Sequence, residues 1–375
     1  MASEVRVNSI TNRSGLGTAT FNNDGSITLG GNLNLNSVTT TARNAGVSTA
    51  TGSLVYNTTT KGVEVYDGTG WVAGLQSFSA TGGSKDTTSR SGYAVHTFTS
   101  PGTFVISGAS VTAEYLVVGG GAGGGYGYGG GGGAGGHRSS TSFPMSPGTY
   151  TIQVGGGGAG GVPFTNPGGR GSSGTPSYIS NPNITQITSE GGGGGACANT
   201  AGPSPLGQPA GNGGSGGGGA GWRSSANIPS SQPSGLGNRV VGTTDPAPTQ
   251  GNNGGSQGPV NPNCSASGGG GGAGAVGSDS PGTDTGGAGG AGSANSITGT
   301  SVTRAGGGGG SGCTGGAGGS GGGGAGGTGP TDTNTAAGDG TTNTGGGGGG
   351  GHGHNPSPNG GAGGSGIVII AYPTA

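Results

Sequence analysis

Residues 119–136 read GGGAGGGYGYGGGGGAGG, two glycine runs on either side of a short segment that contains two tyrosines. Glycine makes up 109 of the 375 residues, and most of it lies in similar runs farther along the chain. Runs of this kind cannot supply the side chains of an ordinary core, so a folded structure must pair their backbone groups. The clearest runs are Gly119–Gly125, Gly129–Gly136, Gly155–Gly161, Gly191–Gly195, Gly268–Gly272, Gly306–Gly310 and Gly345–Gly351.

The composition excludes several classes of protein. Apolar residues are 26% of the chain, charged residues are 6%, and the formal net charge is −1. Disordered chains usually combine low hydrophobicity with high charge, and this chain lacks the charge. It has no basic stripe that would neutralise phosphates, so we expect no nucleic-acid partner. It also has no apolar run of about 18 residues, so we expect no membrane insertion.

The N-terminal part of the chain predicts short β-strands. Leu54–Asn57 and Val63–Tyr66 have the spacing of a β-hairpin, and Trp71 begins a third short strand. No stretch of ten or more residues has a helical period. We interpret residues 1–75 as a β-structured attachment or assembly region, and the polar, turn-rich residues 76–92 as a linker.

Short apolar segments bracket the glycine runs. Phe104–Ile106, Glu114–Val118, Tyr150–Val154 and Gly366–Tyr372 all read as strands. The simplest interpretation is that they pair into a small β-module into which the glycine-rich segments are inserted. Residues 93–375 would then form one domain.

The glycine runs themselves predict an extended helical packing. A helix with three residues per turn has no internal hydrogen bonds, and without side chains its peptide groups can bond to neighbouring helices. A run of six to eight residues spans about 19–25 Å at about 3.1 Å per residue, which suits one layer with loops at both ends. We therefore predict an all-β fold with a polyglycine II-type helical sandwich and essentially no α-helix. Small interruptions should face outward or fill gaps between layers, at Ala122, Ala134, Ala159, Ser215 and Ala325.

Such a scaffold does not depend on the sequence of its loops, so functional residues are expected there. The predicted loops are 137–147, 162–167, 175–190, 197–210, 222–250, 259–267, 293–305, 330–344 and 352–359.

Several loop residues are candidates for ligand binding, because exposed aromatic rings stack on sugar rings and other apolar faces. Each aromatic residue could instead cap the end of a glycine layer and shield its backbone hydrogen bonds. The candidates are Tyr126, Tyr128, Tyr178, Trp222, Arg223 and Asn355.

Catalysis and cofactor binding find little support in the sequence. Matches to the nucleotide-binding G-x-G-x-x-G pattern are too abundant to be informative, and no helix follows any of them. Nothing brings two of the few acidic residues together, and no nucleophile motif has a strand–helix context. We predict that the protein is not an enzyme and needs no organic cofactor.

The three cysteines, Cys197, Cys264 and Cys313, fit no zinc-binding spacing. Their odd number leaves two arrangements open, which are one bridge with a free thiol and no bridge at all.

Several segments resemble virion structural and fibre proteins of tailed bacteriophages, especially cyanophage-like ones. The beginning, MASEVRVNSITNRSGLGTATF, resembles the start of such proteins, and GSLVYNTTTKGVEVYDGTGW (residues 52–71) resembles a small β-module of phage fibres. YLVVGGGAGGG, GTYTIQVGGGGAGG and GGSGIVIIAYP resemble a glycine-rich domain of phage appendages.

This resemblance implies a homotrimeric tail fibre, located in the virion, that recognises its host through variable loops. It implies other virion proteins as partners of the N-terminal region. The loops would bind a host-surface glycan or outer-membrane protein. Related fibres also use an H-x-H motif at a trimer axis, where six imidazoles suit iron or a similar metal. His352 and His354 are the matching residues here, and two exposed loop histidines are the simpler interpretation.

Other functions fit the same sequence. One alternative is a capsid-attached fibre or decoration protein with a purely structural role. Another is a non-viral secreted glycine-rich protein, either structural or ice-binding, although the irregular run lengths argue against a flat ice-binding face.

Overall fold

The computed structural model describes residues 9–11, 18–21, 27–29, 33–46, 49–74, 78–163, 169–198, 207–221, 234–237, 250–259, 264–329, 334–353 and 359–374. The chain divides into two compact units, Met1–Ser77 and Phe78–Ala375. The described residues form mainly antiparallel sheets and one short helix. The mainly β class predicted from the sequence is therefore confirmed.

The first unit contains a three-stranded and a four-stranded sheet. The three-stranded sheet comprises β1 (Ser9–Thr11), β2 (Thr18–Phe21) and β3 (Ile27–Leu29). The four-stranded sheet has the order β4-β5-β6-β7, formed by β4 (Ser37–Val38), β5 (Leu54–Asn57), β6 (Gly62–Tyr66) and β7 (Trp71–Ala73). The predicted hairpin and third strand are confirmed as β5, β6 and β7.

A single turn of helix, α1 (Thr40–Asn44), connects β4 to β5. Its N-cap is Thr39, whose side-chain oxygen accepts a hydrogen bond from the N–H of Ala42 at 3.1 Å. No periodic signal in the sequence predicts this helix, because five residues are too few to show a helical period.

The second unit contains two five-stranded sheets and a separate hairpin. The first sheet has the order β13-β12-β19-β10-β9 and the second has the order β16-β15-β14-β11-β8. The strands are β8 (Ser79–Thr81), β9 (Ser84–Asp86), β10 (Tyr93–Phe98), β11 (Gly102–Ser107), β12 (Val111–Val118), β13 (His137–Met145), β14 (Gly148–Gln153), β15 (Ser177–Ser180), β16 (Ile187–Ser189), β17 (Ser293–Asn295), β18 (Val302–Arg304) and β19 (Ile367–Pro373).

The two five-stranded sheets share one apolar core. Phe104, Ile152 and Ile179 of the second sheet pack in the same buried cluster as Val117 and Ile370 of the first. The remaining faces of β12 and β19 are also buried, in a second cluster. A strand that is covered on both sides needs no polar alternation, which explains the continuous apolar sequence of β19. The predicted β-module that frames the glycine runs is confirmed.

The glycine runs are joined to one another through their backbones. Along residues 119–126, the N–H groups of Gly119, Ala122 and Gly125 donate to the carbonyls of run 129–136. The N–H group of the residue that follows each of these three donates to a carbonyl of segment 169–175. The N–H groups of Gly121 and Gly124 donate to carbonyls of segment 361–364. The hydrogen-bond partner therefore changes with a period of three residues.

Each central run has many neighbours. The carbonyls of residues 120–125 accept hydrogen bonds from three further segments, 158–161, 192–195 and 348–351. Run 119–126 is thus surrounded by six segments, three that accept its N–H groups and three that donate to its carbonyls. Backbone hydrogen bonding takes the place of side-chain packing in this bundle.

The small interruptions fall into the two predicted classes. The side chains of Ala122, Ala134 and Ser215 are completely buried between runs. Those of Ala159 and Ala325 are exposed at the surface of the bundle.

The bundle has two distinct ends. At its strand end, Val118 leads into Gly119, which lies beside Gly136 and the start of β13. At the opposite end, which we call the distal end, residues 126–128 turn the chain back, and Gly125 donates to Gly130. The β-sandwich therefore closes one end of the glycine bundle and leaves the other to turns and loops.

Some predicted loops and the predicted linker contain regular structure. Predicted loop 137–147 is mostly strand β13, loop 175–190 contains β15 and β16, and loop 293–305 is the β17–β18 hairpin. Residues 76–92 hold β8 and β9, the edge strands of the two sheets, and are not simply a linker. These assignments were wrong because Ser- and Thr-rich strands with few apolar residues resemble loops in sequence.

Two of the three cysteines are bonded. Cys264 and Cys313 form a disulfide, and Cys197 is a buried free thiol. Of the two arrangements left open by the sequence, the structure has one bridge and one thiol. Within the described parts of the chain, no helix has the length and apolarity needed to cross a bilayer.

The packing of the glycine runs gives a direct prediction for Gly124→Ala. A Cβ at Gly124 would lie 1.9 Å from the carbonyl oxygen of Gly349, so the two segments would have to separate. We expect the free energy of unfolding to fall by about 3 kcal/mol, measured by chemical denaturation of the full chain.

Gly156→Ala is the matched control, because the nearest atom to its Cβ would be the Thr175 hydroxyl oxygen at 3.8 Å. It should change stability by less than about 0.5 kcal/mol. Equal effects of the two substitutions would contradict backbone contact as the basis of the bundle.

Candidate functional site

The turn at residues 126–128 is a meeting point for several runs at the distal end. The N–H of Tyr126 donates to the carbonyl of Gly169, and the carbonyl of Tyr128 accepts from the N–H of Gly221. Gly127 and Tyr128 both have left-handed φ angles, of 51° and 56°, which reverse the chain. The segment that follows predicted loop 162–167 and the segment that precedes predicted loop 222–250 therefore meet beside this turn.

The two tyrosines of the turn have different environments. Tyr126 is half-buried, whereas only 1% of Tyr128 is exposed. The Tyr128 ring meets the ring of His352 edge to face, with centroids 4.8 Å apart. Tyr128 therefore has no face open for stacking on a sugar.

His352 lies inside the distal end and not on its surface. Its side chain is fully buried, and its Nε2 atom is 4.0 Å from the sulfur of Cys264. Cys264 is bonded to Cys313, so the disulfide, the imidazole and the Tyr128 ring form one cluster. This cluster connects the distal ends of four glycine runs that are far apart in sequence.

These positions bear on the predicted metal site. An imidazole buried within one chain cannot meet copies of itself at a trimer axis in this conformation, and His354 lies outside the described residues. Among the described residues, Cys264, Asp284 and Cys313 place one ligand atom each within 4.8 Å of the others. Both sulfurs of that group are already bonded to each other.

Of the other predicted ligand-binding residues, the structure describes only Tyr178. Tyr178 is half-buried in β15, opposite Thr188 of β16. Trp222, Arg223 and Asn355 lie outside the described residues, so their role stays a prediction.

A polar pocket at the bundle surface was missed by the sequence analysis. It has a volume of about 410 Å³ and is lined by Arg170, Gly171, Ser172, Gln208 and Pro209. Arg170 follows Gly169, the residue that binds the turn at Tyr126. The only sequence signal was a lone cation between two glycines, and the residues that complete the pocket lie more than thirty positions away.

The four-stranded sheet of the first unit buries a polar network on one face. Glu64 is 5% exposed and accepts hydrogen bonds from Asn57 and Thr60, both at 3.0 Å, and from Arg43 of α1. Burial raises the pKa of Glu64, but the hydrogen bonds from Asn57, Arg43 and Thr60 together outweigh it. The net pKa lies below its ordinary value, so the carboxylate stays charged.

The opposite face of the same sheet is apolar. Leu54 and Tyr56 alternate along β5 with the buried Val55 and Asn57. Their exposed fractions are 46% and 37%, and that of Val72 on β7 is 41%. The four-stranded sheet therefore buries the Glu64 network on one face and presents apolar side chains on the other.

Two family models match the chain. Residues 97–373, more than half of the chain, match the family model described as a glycine-rich domain. The chain belongs to the glycine-rich domain family. Residues 17–89 match a phage tail-like trimerisation region. No curated protein matches the chain.

The glycine-rich domain match runs from the last two residues of β10 to the end of β19, so it includes the glycine bundle and the β-sandwich except β8, β9 and most of β10. The trimerisation match includes all of the four-stranded sheet and α1. The two matches describe a phage tail-like protein that joins a trimerisation region to a glycine-rich domain.

The Glu64 network predicts an acid-sensitive step in the first unit. Because the folded-state pKa of Glu64 is below 4.5, its stabilisation is fully present above that pH. It is lost as the pH falls through the lower folded-state value. Glu64→Gln should reduce unfolding stability at pH 7 by about 1–3 kcal/mol and remove this acid dependence.

The measurement is thermal unfolding of the full chain between pH 3 and 7, followed by tryptophan fluorescence in a Trp222→Phe background, so that the signal comes from Trp71 alone. Glu114→Gln is the matched control, because it removes a comparable ion pair, with Arg90, from the other unit. It should leave the acid dependence of the Trp71 signal unchanged. An unaltered acid transition in Glu64→Gln would contradict the assignment.

Proposed function

We propose that this protein is a homotrimeric tail fibre of a bacteriophage virion. Residues 1–75 would attach it to other virion proteins. The glycine-rich domain would display loops that recognise a glycan or an outer-membrane protein of the host. The observation that carries the proposal is the order of the two matched regions, a phage tail-like trimerisation region followed by a glycine-rich domain.

The glycine runs would serve this function as rigid polyglycine II helices. Two observations support that conformation. The hydrogen-bond partners of run 119–126 change with a period of three residues, and six other segments surround this run. Helices of this type have three residues per turn and direct their peptide groups outward, and the observed pattern is compatible with both properties. A bundle joined through peptide groups places few demands on the residues in its loops.

The arrangement of the distal end supports recognition there. Gly221 and Gly353, which precede the segments 222–233 and 354–358, both lie at that end, near Tyr128. The pocket beside Arg170 adds a cation and the polar groups of Ser172 and Gln208, which are suited to sugar hydroxyls or carboxylates. Loops held by a rigid scaffold commonly carry binding residues.

The position of the protein on the virion tests the proposal. Antibodies against the glycine-rich domain, coupled to gold, should label the tips of tail appendages in electron micrographs of intact particles. Label over the head would favour a capsid-attached fibre or decoration protein. An absence of label from every particle would overturn the virion assignment and favour a secreted structural protein.

Host recognition is tested by exchanging one loop at each end of the bundle. Segment 222–233 follows Gly221 at the distal end, whereas segment 238–249 precedes Gln250, which binds His137 at the strand end. We expect replacement of 222–233 by a Gly/Ser segment of equal length to reduce adsorption to the propagating bacterium by tenfold or more, as loss of about 1.4 kcal/mol of binding would. The same replacement of 238–249 should leave adsorption unchanged. Equal adsorption of both variants would contradict recognition through the distal loop.

A further inference from the structure

We propose that the apolar face of the four-stranded sheet is the surface through which three copies of this chain associate. The surface, called here the β5–β7 face, consists of Leu54, Tyr56, Val63, Val65 and Val72. The inference rests on the homotrimer of the proposed function and assigns its interface to particular residues.

The register of the sheet places these side chains on one side. Leu54 pairs with Val65, which in turn pairs with Val72, so the three form a continuous row across β5, β6 and β7. Tyr56 pairs with Val63 in a second row beside the first. Directly paired residues project from the same face of an antiparallel sheet, and the closest rows lie two residues apart along each strand.

The other side of the sheet is already covered within the chain. Val55, Asn57 and Glu64 are all at most 5% exposed, and α1 contributes Arg43 to the network around Glu64. Tyr66 and Trp71 also pair there, with ring centroids 5.6 Å apart. Helix α1 covers the buried side, so within the described part of the first unit the β5–β7 face is the side of this sheet left for association.

The chemistry of the β5–β7 face suits a second and third copy of itself. It carries no charged side chain, so identical faces can meet without like-charge repulsion or burial of unpaired ions. Large contiguous apolar patches are rare on monomeric proteins and mark interaction sites. The phage tail-like trimerisation match, residues 17–89, spans the whole face and gives the number of copies.

Exposed apolar residues of the glycine-rich domain provide a contrast. Val162 is 47% exposed and Val276 is 60% exposed, but neither belongs to a strand or is part of a row. They are therefore isolated exposed residues, which need no partner. Their similar exposure makes them matched controls for substitutions in the β5–β7 face.

The experiment measures the mass of the full chain by sedimentation equilibrium over a range of concentrations. The wild-type chain should be trimeric. Leu54→Glu places one carboxylate per copy in the interface and should produce monomers. Val276→Glu adds the same charge at a more exposed valine and should leave the trimer intact.

A second substitution covers the case in which Leu54→Glu impairs folding. Val72→Thr keeps the size and branching of the side chain and adds a hydroxyl, so the sheet should be retained. Because each trimer contains three copies of the change, the half-dissociation concentration should rise by about tenfold or more. Unchanged circular dichroism would show that the monomers released are folded.

The outcomes separate this inference from the trimer itself. The β5–β7 face is supported if the wild-type chain is trimeric, Leu54→Glu is monomeric and Val276→Glu stays trimeric. If the wild-type chain is trimeric and the Leu54→Glu and Val72→Thr variants form trimers equally strongly, the β5–β7 face is not the interface, although the homotrimer itself is retained. A monomeric wild type at every concentration overturns both.

Discussion

The second unit depends on the close approach of peptide groups to one another. Around residues 119–136, nearly every N–H and C=O is paired with a group from another run, and a Cβ at most of these glycines would lie about 2 Å from a carbonyl oxygen. Buried peptide groups must be hydrogen-bonded, and glycine, which has no side chain, leaves room for neighbouring segments around each run. The abundance of glycine is therefore a steric requirement, satisfied at the cost of extra backbone entropy.

The β-sandwich gives the bundle its starting geometry. Strands β12 and β19 are neighbours in the first sheet, and they lead into or out of glycine segments that also lie side by side. Both strands are buried on two faces, so their positions are well determined by side-chain packing. The conventional core thus sets the register from which glycine pairing extends to the distal end. There, Tyr128, His352 and the Cys264–Cys313 disulfide join the runs again.

The sequence predicted the parts of the fold that have local signals. Alternation and turn residues identified β5, β6 and β7, and apolar density identified β11, β12, β14 and β19. Strand β13 was missed because HRSSTSFPM has little apolar alternation, and its pairing with β12 depends on a partner already in place. The partners of each glycine run could not be predicted, because runs of nearly identical composition carry no information about which neighbour they will bind. The burial of His352 and the pocket at Arg170 follow from those pairings and were missed for the same reason.

Amide hydrogen exchange of the full chain tests the central claim most directly. If backbone hydrogen bonds between runs hold the second unit together, peptides covering residues 119–136 should exchange only through global unfolding. Their protection should match that of peptides from β12 and β19. Exchange of residues 119–136 at the rate of free polyglycine, while β12 and β19 remain protected, would contradict the account.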